Sequence, residues 1–237
     1  MPQSGYDLEV GCKAMASKST SVPTSRIDGR RKAAMKDGGA SYLARREEIV
    51  HVAAHVFREL GYEAATLNDV ARQLGTDRAS LYYYVASKDE LLHEVVRGVL
   101  ARNLAAAEEI RKRRIPVPEK IAALILEMIT SFDENYPHMY VYIEDMGRVA
   151  RQDSEWARDV VHSTKQFETI VREIIEKGRR DGTLKNDIPA ELSAMGLFGM
   201  VNWTHRWYKP GHKFDPQDIA KAFTTLFLSG ATASAEL

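Results

Sequence analysis

A single cysteine, Cys12, among 237 residues excludes an intramolecular disulfide and any metal centre built from several thiolates. A dominant sign of charge is also missing. Lys plus Arg number 33 and Asp plus Glu number 33, which excludes a uniformly cationic nucleic-acid coat but leaves room for a local basic face. No apolar run approaches the ~18 residues of a membrane span. The first ten residues carry neither the basic start nor the apolar stretch of a secretory signal. The expectation is a soluble, cytoplasmic chain. G-x-S-x-G, phosphate-loop and dinucleotide fingerprints are absent, so nothing points to an enzyme and no cofactor is expected.

What is present is helical periodicity. Residues 1–40 are polar, Ser-rich and locally basic (Lys18, Arg26, Arg30, Arg31, Lys32 and Lys36 against Asp28 and Asp37). They read as a disordered tail, either a solvated one or an arm that touches DNA; Met15 or Met35 could be the true start. From residue 41 onward, apolar residues recur at helical spacing and strand alternation is missing. Ile49, Ala53, Val56, Phe57 and Leu60 end at Gly61; Leu67, Val70, Ala71 and Leu74 run from Thr66 to Gly75. A third short helix is expected over 78–85, and Ser87 caps a long one that stops before Pro116. Further helices are expected near 118–135, 137–150, 154–180, 189–208 and 216–230. The fold class is therefore all-α. Its expected parts are the tail 1–40, a three-helix unit over 41–88 and a longer helical unit over 89–237.

Thr66 to Val85 has the proportions of a helix-turn-helix. At ~100° per residue, Leu81 and Val85 point inward while Ala79, Ser80 and Tyr83 point outward, with Arg78, Tyr82 and Tyr84 on the flanks. An outward face of a small residue, a hydroxyl and tyrosines suits a major groove: Ala79 admits the backbone, while Arg78, Ser80 and the phenols reach bases or phosphates. The competing reading, three tyrosines packing a core, holds in part for Tyr82.

The run Thr66-Leu67-Asn68-Asp69-Val70-Ala71, then Gly75, then Leu81-Tyr82-Tyr83-Tyr84-Val85, then Ser87-Lys88-Asp89-Glu90-Leu91 resembles the TetR family of transcriptional regulators, with the likeness extending over 44–100. The resemblance implies base contacts from Arg78 to Tyr83 and phosphate contacts from Thr66, Tyr84 and Lys88. Asp77, where Ser or Thr is commoner, keeps a good cap but repels a nearby phosphate; Val85 in place of Phe stays apolar. The resemblance makes 41–88 a helix-turn-helix DNA-binding domain and 89–237 a helical ligand-binding and dimerisation domain. It implies a ligand-responsive homodimer, most simply a repressor released from a palindromic operator.

Beyond the head, small residues (Ser193, Ala194, Gly196, Gly199) precede an apolar stripe of Ile219, Phe223, Leu226 and Phe227. These suit a two-fold four-helix interface, or packing within one chain. Phe132, Tyr136, Met139, Tyr140, Ile143, Met146, Phe167, Met200, Asn202, Trp203 and Arg206 form a Met- and aromatic-rich set with a few polar anchors, the make-up of a small-molecule pocket or of plain core. The stretch Arg206 to Gly211 resembles a motif in relatives that sense acyl coenzyme A thioesters, which suggests a small hydrophobic or acyl-coenzyme-A-like effector. His51 and His55 have the spacing of a helical metal pair. With no third ligand in view they read as a solvated face, and no metal is expected. Adjacent Glu144 and Asp145 diverge on a helix and cannot flank one bond. A helical carrier or enzyme for a lipid-like molecule, and a DNA-binding regulator without a ligand, remain the alternatives.

Overall fold

The computed structural model describes residues 39–231 apart from His212. The expected tail therefore lies almost wholly outside the described residues. Among them, every regular element is a helix. Helices α1 (Ala40–Leu60), α2 (Leu67–Gln73) and α3 (Arg78–Leu81) form a small head. Helix α4 (Lys88–Lys112) joins it to a body of α5 (Val117–Glu134), α6 (His138–Val149), α7 (Glu155–Arg180), α8 (Ala190–Asn202) and α9 (Pro216–Ala231).

Local chemistry sets most boundaries. Thr66 and Asp69 form a reciprocal capping box at α2. Asp77, Ser87 and Ser154 each accept a backbone N–H at the start of α3, α4 and α7. Gly75 takes φ +66°, a left-handed turn that a side chain would strain, and so turns the chain between α2 and α3. Helix α4 lies along α7 and also touches α1, α5 and α6, while α5 carries α9 and α7 carries α8. Gly178 marks the closest approach: a Cβ there would stand 2.7 Å from Leu184 and Val117.

Two expected helices are shorter than their patterns. The 78–85 segment is regular only to Leu81; Tyr83 and Tyr84 then donate three residues back, to Ser80 and Leu81, tightening the turn. The expected helix over 189–208 ends at Asn202 and passes into a 3-10 turn, Trp203–Arg206. There Trp207 and Tyr208 both donate to the Thr204 carbonyl, and the His205 ring sits 2.6 Å from the Asn202 carbonyl. Ring-to-backbone bonding of this kind competes with the helical ladder.

Candidate functional site

The outward face of the head is as the helical phase requires. Arg78, Ala79, Ser80 and Tyr83 are exposed, whereas Leu81 and Val85 are buried. Tyr82 and Tyr84 are half-buried. The polar groups are pre-arranged. Arg78 donates through Nε and Nη2 to the Tyr82 hydroxyl (3.1 and 2.7 Å). The Ser80 hydroxyl and N–H both donate to Asp77 (2.8 Å each), which holds the Asp77 carboxyl below its ordinary range. Tyr84 stacks on Tyr42 of α1 at 5.0 Å, and Tyr83 meets both rings edge-on. This aromatic cluster braces the reading face. The Thr66 hydroxyl lies in its capping box, donating to Asp69 at 2.6 Å.

Lys88 departs from the expected free cation. Its ammonium donates to the carbonyls of Tyr62, Glu63 and Ala65 (2.7, 3.2 and 2.8 Å) and lies 4.3 Å from the centre of the Tyr62 ring. All three donors are engaged, so the side chain ties the loop before α2 to the start of α4. Tyr62 itself donates to Asp89 at 2.6 Å; its burial, then that bond, push its ionisation up. On the other face of the Tyr62 network stands Arg148 of α6, its guanidinium 3.6 Å from the ring centre. Arg148 also pairs with Asp145 (3.3 Å) and reaches Glu63 (3.7 Å). This stacked, charged contact is one of those by which the body grips the head. Sequence reasoning missed Arg148 and Tyr62, because neither belongs to a motif and the contact spans the chain.

Helix α6 faces a cavity with its opposite side. About 80 Å³ of space is lined by Leu100, Asn103, Met128, Met139, Tyr142, Ile143, Thr164, Phe167, Glu168, Phe198 and Asn202. Of the pocket residues expected from sequence, Met139, Ile143, Phe167 and Asn202 line it. Phe132 is buried core, Met146 and Met200 are half-buried outside the lining, and Tyr136 and Tyr140 lie beneath Arg58 (5.0 and 5.4 Å) at the junction with the head. Trp203 and Arg206 face outward, with Arg206 paired to Glu144 at 3.5 Å and 5.7 Å from the Trp203 ring. The sequence set omitted Asn103, which accepts from Ser131 at 2.8 Å and donates to the Met139 sulfur. It was legible: an Asn on the Val95/Val99 stripe is polar at an inward phase.

The expected dimer residues divide. Ala194 and Ile219 are already buried within the chain, Phe223 and Phe227 are half-buried against the core, and Gly196 and Gly199 face open space. Of the expected set, Leu226 is exposed (67%); Leu192 (58%) and Met195 (57%) of α8 and Trp203 (62%) of the following 3-10 turn are exposed as well. Among the described residues, no three metal-binding side chains surround one point, and no helix is long and apolar enough to cross a membrane.

A helix-turn-helix head with a prepared outward face, gripped by a helical body that encloses a cavity, defines a DNA-binding regulator with an effector domain. The sequence assigns it to a family. Residues 49–95 match the bacterial regulatory proteins of the tetR family, and residues 114–231 match the tetracyclin repressor-like C-terminal domain. The chain belongs to the TetR family of transcriptional regulators. It is 26% identical over 195 residues to the HTH-type transcriptional repressor KstR2 of Rhodococcus jostii RHA1, spanning 82% of this chain and 94% of that one. The solved structure of the ketosteroid transcriptional regulator KstR2 of Mycobacterium tuberculosis superposes with a TM-score of 0.76 at 25% identity, over 80% of this chain and 96% of that one. The same fold recurs in AibR, solved with isovaleryl coenzyme A and operator DNA, at a TM-score of 0.65 and 18% identity, over 77% of this chain and 97% of that one.

Proposed function

We propose that the protein is a homodimeric repressor that leaves a palindromic operator when an apolar effector enters the cavity between α4, α5, α6, α7 and α8. The observation that carries this reading is the two-sided placement of α6: Met139, Tyr142 and Ile143 face the cavity, and Arg148 grips Tyr62 of the head. An effector that prefers a shifted α6 must lower DNA affinity by the same coupling free energy. The Met, Phe and Ile lining favours a hydrocarbon, and Asn103, Thr164 and Asn202 offer polar anchors. The present volume admits only a few methylenes, so a longer chain requires the Phe167 and Phe198 rings, 5.9 Å apart, to part.

An acyl coenzyme A thioester is the effector class proposed first. Phe198 and Glu168 line both the cavity and a groove of about 480 Å³, in which Lys165 and Arg172, set against Glu168 and Glu191, would meet its anionic head. This placement supersedes Arg206 as the leading anchor, because Arg206 already has Glu144 as a partner. The exposed Leu192, Met195, Trp203 and Leu226 support a two-fold contact through α8 and α9. The test is operator release. DNA flanking the protein's own gene is labelled and bound, then titrated with a panel of acyl coenzyme A thioesters, steroid acids and planar cations. Release by thioesters, weakened in Lys165→Ala/Arg172→Ala more than in Arg206→Ala, is the expected result. No binding to that DNA at any salt would sink the reading, and release by planar cations alone would replace the effector class.

A further inference from the structure

Three imidazoles meet where the head touches the body. Helical spacing sets His51 and His55 one turn apart on α1, with their Nε2 atoms 3.2 Å apart and ring centres 4.7 Å apart. His138, the first residue of α6, lays its ring 5.6 Å from that of His51, tilted by only 30°. His51 is exposed, as a solvated face requires, while His55 is half-buried, with Tyr136 edge-on at 6.2 Å. Sequence alone offers no third donor for this pair, and the fold supplies one from a distant part of the chain.

Two nitrogens bound tetrahedrally to one ion at ~2.0–2.1 Å stand about 3.3 Å apart. The His51–His55 separation, a ring-to-ring hydrogen bond in the metal-free protein, matches that distance. Imidazole is favoured by nickel, copper and zinc ions, and it binds them in its neutral form. As the side chains stand, the three rings do not converge on one point; His138 joins the pair as a ligand only when its side chain turns. A groove of about 460 Å³, lined among others by Glu47, His51 and His138, opens the His51 and His138 rings to solvent. Arg58 and Arg102 stand close enough to oppose a cation, and Glu59 favours one. Affinity must therefore come from nitrogen–metal bonds, which excludes hard oxygen-seeking ions such as magnesium and calcium.

We propose that His51 and His55 chelate a divalent transition-metal ion of the nickel, copper or zinc class, with His138 as third ligand, so that bound metal pins the head to the body. The experiment titrates zinc or nickel chloride into the metal-free, full-length protein, read by calorimetry, with operator affinity measured in parallel. One ion per chain at micromolar affinity is expected. His51→Ala and His55→Ala should each lower that affinity by about tenfold or more. His138→Phe, which preserves a stacked ring, should weaken metal binding and abolish any effect of metal on operator affinity. Cys12→Ser should change nothing. Absence of binding at micromolar free metal overturns the site, as does parental affinity in the His51 or His55 variant while the melt shows it folded. Parental affinity and metal response in His138→Phe overturns the three-imidazole arrangement. Operator binding by metal-free protein is independent of each outcome, so failure here does not touch the regulator reading.

Discussion

At the scale of single residues, the outward face of the head separates side chains proposed to contact DNA from side chains that hold the face in place. Tyr83 is 39% exposed and braced by Tyr42 and Tyr84. Tyr83→Ala should cost about 1–3 kcal/mol of operator affinity and relax preference at one base position, measured by competition with single-base operator variants. Lys88 belongs to the other group. Removing a charged donor from three carbonyls should cost about 1–3 kcal/mol of stability in Lys88→Ala. The melt should fall together with operator affinity; a parental melt with a salt slope reduced by about one would show a direct phosphate contact instead. Asp77 makes a pH prediction. Its carboxyl is held below its ordinary 3.8 by Ser80, so its capping contribution is complete above that value and is lost as pH falls through the lowered one. Amide exchange in α3 should rise steeply in that acid range, and Asp77→Asn, which caps without titrating, should remove the dependence.

At the scale of elements, α6 is the piece whose two sides serve two purposes, and the sequence shows only one of them. The Met and aromatic pattern from Met139 to Met146 marks it as cavity-facing or core. Nothing in a one-dimensional pattern brings Arg148 to Tyr62, because that stack depends on how α6 crosses the head. Arg148 Nη2 is also buried without a hydrogen-bond partner, an arrangement kept where geometry outweighs satisfaction. Arg148→Ala should leave operator affinity near parental but reduce effector-driven release by about fivefold or more. Arg148→Lys, which keeps charge but loses the planar stack, should recover it only partly. Operator titrations with and without an acyl thioester decide this. The helix-turn-helix was legible because capping residues, Gly75 and the phase of Leu81 and Val85 are local. The early end of α8 was not, because the Thr204 carbonyl and the His205 ring compete with a helical ladder that the apolar pattern would otherwise continue.

At the scale of the molecule, the apolar stripe of α9 illustrates what periodicity leaves open. Ile219, Phe223 and Phe227 share a face, and α9 lays it on α5 of the same chain. Leu226 points away from that packing. Leu226→Glu therefore should leave the melt of the subunit intact while placing a carboxylate in the proposed two-fold contact, weakening self-association by about tenfold or more. Sedimentation across concentration measures it, and loss of operator affinity should follow because two half-sites ~34–36 Å apart need two heads.

Helix α4 gives the assembly a mechanical gain. Its 25 residues extend about 37 Å at ~1.5 Å each. Its middle lines the cavity through Leu100 and Asn103, and its first residue, Lys88, is bolted to the head. Roughly 20 Å of rigid rod separates these points, so a tilt of only ~5° at the cavity swings the attachment by nearly ~2 Å. In the proposed dimer, two such rods related by a two-fold rotation would double the change in span. A disturbance no larger than a methyl group, introduced deep in the body, would then become a mismatch with the pitch of a double helix.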